Sequence, residues 1–231
     1  MLEVDAVHSY YGDSHVLHGV SLSVKEGEVV SLLGRNGAGK TTTVLSIMGY
    51  LAPRPGRIVY NGREIGGWPP HRVARQGFGF VPQERGIFPR LTVKENLTVA
   101  ARGGKTARWK LDDIYRLLPR LKEREGNLGF QLSGGEQQLL SIGRALMLNP
   151  TLMLLDEPTE GLAPMIVEEV MRLLATLKTQ GLAILLVEQN LRVALDVSDR
   201  HYILSKGEVC FTGTSAELEH NDHVLKTFLS V

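Results

Sequence analysis

The chain has 231 residues, 43% of them hydrophobic, which is enough to bury the core of one domain of ordinary size. Its formal net charge is +1, so composition gives no reason to expect nucleic acid as the main partner, because nucleic acid selects for basic surfaces. The single cysteine, Cys210 in the apolar stretch EVCF, is expected to be a buried strand residue, and it has no partner for a disulfide.

The sequence predicts a soluble, intracellular protein. It contains no apolar run of the length that spans a bilayer. Its start, MLEVDAVHSYYG, lacks the basic-then-apolar order of a secretion signal. A lone cysteine suits a reducing compartment. If such a chain serves a membrane, we expect it to do so by docking on another protein.

Short apolar runs alternate with helical patterns, which predicts an α/β fold with a largely parallel sheet. The first two runs alternate apolar and polar residues, which is typical of strands with one exposed face, and predict a small antiparallel β layer: LEVDAV (2–7) and VSLSV (20–24). The elements expected next are VVSLL (29–33), a helix to about Met48, RIVY (57–60) and FGFVP (78–82).

Helical patterns dominate between Glu84 and Asn149. We expect an α-helical subdomain at 85–149, inserted into a sheet core formed by 1–84 and 150–231. The later core strands and the last turn are LMLLD (152–156), AILLVE (183–188), HYIL (201–204) and the hairpin SKGE (205–208) leading to VCF. Thr214 and Glu217 have the spacing of a capping box at the start of a short helix.

One loop carries a phosphate-binding motif. A buried strand precedes it and a helix follows it, and the residues that match GxxxxGK[ST] are Gly34, Arg35, Asn36, Gly37, Ala38, Gly39, Lys40 and Thr41. Glycines let backbone N–H groups turn toward phosphates, and the helix N-terminus adds its positive end. Lys40 is expected to reach the β- and γ-phosphates, and the Thr41 hydroxyl to bind Mg²⁺. No Asn-Lys-x-Asp stretch for reading guanine occurs, which favours ATP.

Two acidic residues follow the buried strand LMLLD. Asp156 lies at the carboxyl end of that strand, where its carboxylate can hold Mg²⁺ through water. Glu157 comes next, and a carboxylate beside a γ-phosphate can act as general base toward the attacking water. A third feature is QLSGGEQQ (131–138), in which a Ser133 cap, two glycines and free helix N–H groups suit an anion.

Over essentially its whole length the chain resembles the ATP-binding subunits of ABC transporters. The resemblance depends on the order of Tyr11, the phosphate loop, Gln83 in VPQ, LSGGE (132–136) and LMLLDEP. It implies one P-loop NTPase domain over 1–231, with a RecA-like parallel sheet core, an N-terminal antiparallel β layer and an inserted α-helical subdomain. It implies ATP and Mg²⁺ as cofactors, with Thr41, Gln83 and Asp156 near the metal.

The resemblance also names the anion at QLSGGEQQ. Two ATP-binding subunits would face head to tail, so that the signature residues of each chain cap the partner's γ-phosphate. The predicted nucleotide contacts are Tyr11 stacked on adenine, the phosphate loop together with Thr42, and the signature residues Ser133, Gly134, Gly135 and Glu136. The predicted catalytic residues are Glu157, Gln83 and Gln189. The stretch after Gln83 would receive a transmembrane permease, unless its apolar residues are simply core.

Two positions depart from the family pattern. Gln189 stands where most members have a histidine, and glutamine can form hydrogen bonds but cannot titrate. Ala163 stands near the usual aspartate of the following loop. Both raise the alternative of a slowly hydrolysing regulator.

VEQN, GLAP and FPRLTVKEN are similar to the subfamily for branched-chain amino-acid uptake, in particular its LivF-type ATPase. This implies permease subunits, a second ATPase in a homo- or heterodimer, indirectly a periplasmic solute-binding protein, and a place on the inner face of the membrane. Uptake of urea or short amides, lipid export and a non-transport ABC ATPase stay open.

Two remaining features favour ordinary surface roles. The histidines His8, His15 and His18 have no carboxylate or cysteine at ligand spacing, so we expect hairpin histidines and not a metal site. The basic stretch RGGKTARWK (102–110) is expected to be a solvated loop.

Overall fold

A computed structural model of the protein describes residues 1–104 and 107–229. Its strands are β1 (Leu2–Tyr11), β2 (Ser14–Val24), β3 (Val29–Leu33), β4 (Arg57–Tyr60), β5 (Arg63–Glu64), β6 (Phe78–Val81), β7 (Leu152–Asp156), β8 (Ala183–Glu188), β9 (Arg200–Ser205) and β10 (Glu208–Gly213). Its α-helices are α1 (Lys40–Ile47), α2 (Pro70–Ala74), α3 (Val93–Thr98), α4 (Leu111–Leu117), α5 (Pro119–Glu123), α6 (Gly134–Leu146), α7 (Pro164–Thr179), α8 (Leu191–Val197), α9 (Ser215–Glu219) and α10 (Asp222–Val224). None of the helices described is long and apolar enough to cross a bilayer.

The strands form two sheets, as the sequence predicts. One is antiparallel, in the order β2-β1-β4-β5, and the other has the order β10-β9-β3-β8-β7-β6. In the second sheet every pair is parallel except β9 with β10, which are joined by the expected hairpin. This is the arrangement that the resemblance implies, a mostly parallel core sheet beside an N-terminal antiparallel sheet.

The central strands are buried on both faces, and their alternate residues join two different cores. On β7, Met153 and Leu155 pack with helical residues such as Leu97, Leu139 and Val170. The neighbours Leu152 and Leu154 point the other way, toward α1 and the antiparallel sheet. Because strand side chains alternate between faces, one apolar run supplies both layers. The carboxyl ends of β3, β7 and β8 therefore meet at one edge, where the polar residues emerge.

Between β6 and β7 the described residues carry four α-helices and no named strand. The apolar pattern LDDIYRLLPRL predicts one helical stretch, but the chain breaks it at Leu118, which has φ −130° and ψ 70°, and restarts at Pro119. Proline disfavours helical geometry in the residue before it, and it suits the first position of a helix. That 85–149 is a separate subdomain stays a prediction.

Two local expectations have different outcomes. The capping box is confirmed, since Thr214 caps α9 with Glu217. The burial of Cys210 is wrong: the residue lies on β10, as predicted, but it is exposed because β10 is the edge strand of its sheet. The basic stretch falls partly on residues 105–106, which lie outside the described ranges. His8, His15 and His18 lie against one another on the β1–β2 hairpin.

Candidate functional site

The phosphate loop is held open by its glycines, which occupy backbone conformations unfavourable to other residues. Gly34, Gly37 and Gly39 have φ of 154°, 78° and 107°. A Cβ atom on Gly34 would lie 2.3 Å from the carbonyl oxygen of Leu204 in β9, so this position has no room for a side chain. The loop thus lies directly against the neighbouring strand and delivers the chain to the N-terminus of α1, which begins at Lys40.

Lys40 is buried and turned inward. Its ammonium donates to the carbonyl oxygens of Gly34, at 2.8 Å, and of Arg35, at 3.2 Å. It also lies 3.0 Å from Oε1 of Glu157, and both side chains are about 5% exposed or less. A charge this deeply buried needs a partner, and the Glu157 carboxylate supplies it. In this structure Lys40 therefore holds Glu157 in the place where the sequence predicts phosphates.

The proposed metal side of the site brings Thr41 and Asp156 together. The Thr41 hydroxyl donates to Oδ1 of Asp156 at 3.3 Å. Asp156 is 1% exposed, and its burial raises the pKa of the carboxyl group to about 6. A buried carboxylate with one weak hydrogen bond is stabilised by a nearby cation, and a hydroxyl beside a carboxylate is the oxygen donor set that Mg²⁺ prefers. The residues present therefore fit a magnesium ion held by Thr41 and Asp156.

Glu157 has a positive φ of 48°, which is rare for a residue other than glycine. Its backbone N–H donates to the carbonyl oxygen of Val187 in β8 at 2.9 Å, which ties the turn to the neighbouring strand. The Gln189 side-chain amide donates to Oε2 of Glu157 at 2.9 Å and also to Oδ1 of Asn36 in the phosphate loop. The strained backbone, together with the contacts to Lys40 and Gln189, thus fixes the position of the Glu157 carboxylate.

One cavity collects part of the predicted site. Its lining includes Val16 from β2, Gln83, Glu157 and these residues of the phosphate loop and the start of α1: Asn36, Gly37, Gly39, Lys40, Thr41 and Thr42. An adjoining cavity adds Gly34, Arg35 and Gln189, with Leu229 from the end of the described chain. Gln83 donates to Oε2 of Glu160 at 2.6 Å, so its amide is engaged by a carboxylate of the loop after β7.

The signature residues lie at the start of α6 and have the predicted cap. The Ser133 hydroxyl accepts from the N–H of Glu136 at 3.3 Å, and the Glu136 carboxylate accepts from the N–H of Ser133 at 2.8 Å. Gly135 lies against α7, since a Cβ atom there would be 2.8 Å from Ile166. Among the described residues that line the phosphate-loop cavity, none comes from 133–136.

Tyr11 lies apart from these groups. It ends β1 at the hairpin and is 48% exposed. Its predicted stacking on adenine stays a prediction, because its ring lines neither of the two cavities described above. An exposed aromatic ring has a free face on which a base can stack.

The sequence did not reveal several residues that shape the site. Glu188 is 2% exposed and accepts from the Thr159 hydroxyl at 2.7 Å and from the Gln189 N–H at 3.1 Å. Burial raises the pKa of its carboxyl group. It thereby links the turns that carry Glu157 and Gln189. The sequence signal that could have identified Glu188 is its position as a carboxylate at the end of the apolar strand AILLVE. Val16 and Glu160 carried no such signal.

The comparisons with known proteins agree with this geometry. The family model described as "ABC transporter" matches residues 17–160. The chain is 43% identical over 99% of both chains to BraG of Pseudomonas aeruginosa, described as a high-affinity branched-chain amino acid transport ATP-binding protein. It is 37% identical to LptB of Haemophilus influenzae, a lipopolysaccharide export system ATP-binding protein, over 99% of this chain and 97% of that one. A dimeric post-hydrolysis ATP-binding cassette solved with ADP and Pi is 28% identical, with a TM-score of 0.80 over 93% of this chain and 99% of that one.

Proposed function

Because this chain belongs to the ATP-binding subunits of ABC transporters, we propose that it hydrolyses ATP at a site shared by two cassettes and so drives a membrane permease. The family binds and hydrolyses ATP, and its cassettes dimerise and partner with transmembrane subunits. The main support for a shared site is that the phosphate loop and the start of α6, which both suit an anion, do not line the same cavity of one chain. The phosphate loop lines one cavity, and the capped start of α6 contributes none of the described lining residues.

A second cassette would complete the site. A phosphate loop holds a triphosphate from one side and leaves the γ-phosphate partly bare. The hydroxyl of Ser133 and the first N–H groups of α6, with the positive end of the helix, suit that phosphate. Since they do not line their own chain's cavity, they serve the nucleotide of a partner. ATP would hold the pair together, and loss of the γ-phosphate would release it.

The chemistry assigned to this chain's residues follows from the contacts. Lys40 would exchange the Glu157 carboxylate for the phosphates of ATP, because their several negative charges attract the ammonium more strongly than one carboxylate does. Glu157, freed from Lys40, would then take a proton from the attacking water as general base. Gln189 would keep Glu157 in place. A bound Mg²⁺ would neutralise phosphate charge, and Thr41 and Asp156 would hold it, with Gln83 nearby.

Two substitutions test this function. Glu157→Gln should keep ATP binding but lower steady-state phosphate release by about 100-fold or more, since a general base contributes about 10²–10⁴-fold. Ser133→Arg should leave ATP binding to the single chain intact and abolish ATP-dependent pairing. Pairing is measured by sedimentation of the Glu157→Gln chain with and without the added Ser133→Arg substitution. Full phosphate release by Glu157→Gln removes the base role. Normal pairing of Ser133→Arg contradicts the shared site.

For the transported substrate we propose branched-chain or related amino acids. The similarity to BraG supports this choice, as do VEQN and GLAP in the sequence. The partners would be two permease subunits and a second ATPase, with a periplasmic solute-binding protein delivering the amino acid. The chain would lie in the cytoplasm on the inner face of the membrane, and 85–149 would be the helical subdomain that meets the permease.

The similarity to LptB supports a second candidate, the export of lipopolysaccharide. Co-purification of the intact complex from membranes decides between the two. Under the first proposal, cells that lack this chain lose high-affinity leucine uptake, and a Lys40→Ala chain does not restore it although it still associates with the permease. Recovery of lipid-export permeases, with leucine uptake intact, would favour export.

A further inference from the structure

We infer that Arg85 is an additional phosphate-binding residue of the shared site, which acts on the nucleotide held by the partner cassette. This rests on the proposed function. Arg85 follows Gln83 by two residues and is half-buried. Its guanidinium lies flat against the start of α6: a Cβ atom on Gly134 would be 3.2 Å from Nη1 and 3.3 Å from Nη2. The absent side chain at Gly134 is what lets the guanidinium approach the Ser133 cap.

The guanidinium has donors to spare at this place. An arginine guanidinium has five N–H groups, and within the described residues the hydrogen bond that the Arg85 guanidinium makes is a long one, from Nη1 to Oε1 of Gln137 at 3.4 Å. Within the described residues no carboxylate oxygen lies within 4.0 Å of it. The nearby Glu136 carboxylate already accepts from the Ser133 N–H and faces Arg124. A cation is also disfavoured beside the positive end of a helix. A bound anion would accept hydrogen bonds from the unused N–H groups of Arg85. Its negative charge would also offset the repulsion between the guanidinium and the positive end of α6.

The backbone around Arg85 is built to keep the side chain there. Arg85 has a positive φ of 64°. Its carbonyl oxygen accepts a hydrogen bond from the Ser141 hydroxyl, and the carbonyl oxygen of Gly86 accepts from Nη2 of Arg144 at 2.6 Å. Both donors lie on α6. The segment after Gln83 is therefore fastened to the helix whose N-terminus receives the phosphate, and Arg85 is directed back along that helix toward Ser133.

The anion that fits is the γ-phosphate of a nucleotide held by another cassette. A guanidinium presents its N–H groups in a plane that matches phosphate oxygens, and charge-assisted hydrogen bonds are about twice as strong as neutral ones. P-loop enzymes of other families complete the same side of the phosphate with an arginine. Here that charge would come from Arg85, beside the Ser133 hydroxyl. Gln83 is two residues away and lines this chain's own phosphate-loop cavity. Binding of Arg85 to the partner's nucleotide would therefore also affect this chain's own site.

The test measures ATP-dependent pairing in the Glu157→Gln chain. Adding Arg85→Gln should weaken pairing in ATP by about tenfold or more, while ATP binding to the single chain changes by less than about twofold. Arg85→Lys should recover part of the loss. Arg90→Gln removes a charge from the same segment and should change neither quantity. Equal pairing by Arg85→Gln and its parent overturns the inference. If the parent itself does not pair in ATP, alone or with a companion cassette, the proposed function fails instead.

Mixed pairs of differently tagged chains separate a role across the interface from simple support of the fold. A Lys40→Ala chain cannot hold ATP in its own loop, so the pair has one nucleotide, held by the other chain. Placing Arg85→Gln on the Lys40→Ala chain should weaken pairing, because the Arg85 side chain of that chain would contact the nucleotide held by its partner. Placing it on the nucleotide-holding chain should not. Equal weakening in both arrangements would mean that Arg85 acts within its own chain.

Discussion

At the scale of single residues, the side chains of the site are fixed in place by hydrogen bonds and an ion pair with one another. Gln189 donates to both Glu157 and Asn36, and so connects the carboxylate proposed as base with the phosphate loop. Most members of the family have a histidine in this position, and a glutamine can make the same hydrogen bond without carrying a titrating proton. The geometry therefore favours a positioning role for Gln189 over proton transfer.

Substitutions of Gln189 test that role through the pH profile of hydrolysis. Gln189→Leu should lower kcat by about 10- to 100-fold, since a hydrogen bond to a charged group contributes about 1.5–3 kcal/mol. Gln189→His should keep most of the rate and add a pH-dependent limb near the ordinary histidine pKa of about 6.5, which the parent lacks. Gln180→Leu, at an exposed position, is the control. An unchanged kcat in Gln189→Leu would contradict the positioning role.

At the scale of elements, the start of α6 is placed by its contact with α7. Gly135 faces Ile166, and a Cβ atom there would lie 2.8 Å from Cγ1 and 2.9 Å from Cγ2. Interiors are packed too closely to absorb such an overlap without a shift of one helix. Gly134 and Gly135 therefore do different things: the first admits Arg85, and the second fixes the signature helix against the helix that follows Glu157.

Gly135→Ala should lower the free energy of unfolding by about 1–3 kcal/mol, although alanine is the better helix former, because the added methyl group overlaps Ile166. In an Ile166→Ala background the same change should be neutral or stabilising, and chemical denaturation of the four proteins completes the cycle. Gly126→Ala, where a Cβ atom meets nothing within 4 Å, is the matched control. Equal cost of Gly135→Ala in both backgrounds would show that another contact is responsible.

At the scale of the whole molecule, one buried histidine joins the sheet core to the helices that close it. His201 on β9 lies between the Ser31 hydroxyl, 2.6 Å from Nδ1, and the Ser215 hydroxyl, 2.9 Å from Nε2. It is fully buried, and burial lowers the pKa of the imidazole from 6.5 to about 4. Protonation is thus easier in the unfolded chain than in the folded one, and acid favours unfolding.

The folded protein should lose stability as the pH falls from about 6.5 toward 4, because the unfolded chain binds the proton first. The expected contribution of His201 is on the order of 3 kcal/mol, from the difference between the two pKa values. His201→Gln keeps a donor and an acceptor but cannot titrate, so its unfolding free energy should fall less over this range. Denaturation at several pH values measures this, with the exposed His71→Gln as control. Parallel curves for His201→Gln and the parent would contradict the assignment.

Much of the fold could be predicted because its signals are local. Buried strands such as LMLLD, the glycines of the phosphate loop and the capping residues Ser133 and Thr214 each act within a few neighbours along the chain. Periodicity and capping depend on spacing in sequence, and spacing is visible without coordinates. The two-sheet topology follows from the same alternation of strands and helices.

By itself, then, the sequence determined which residues carry the phosphate loop, the acidic strand end and the signature cap, and in which order. Only the tertiary structure decided which of them meet. The ion pair of Lys40 with Glu157, the bonds of Gln189 and the approach of Arg85 to Gly134 join residues far apart in the chain. The exposure of Cys210 also had to be learned this way, since an edge strand and a central strand can share one apolar pattern. Such contacts depend on how strands and helices pack in space, and no local pattern encodes that packing.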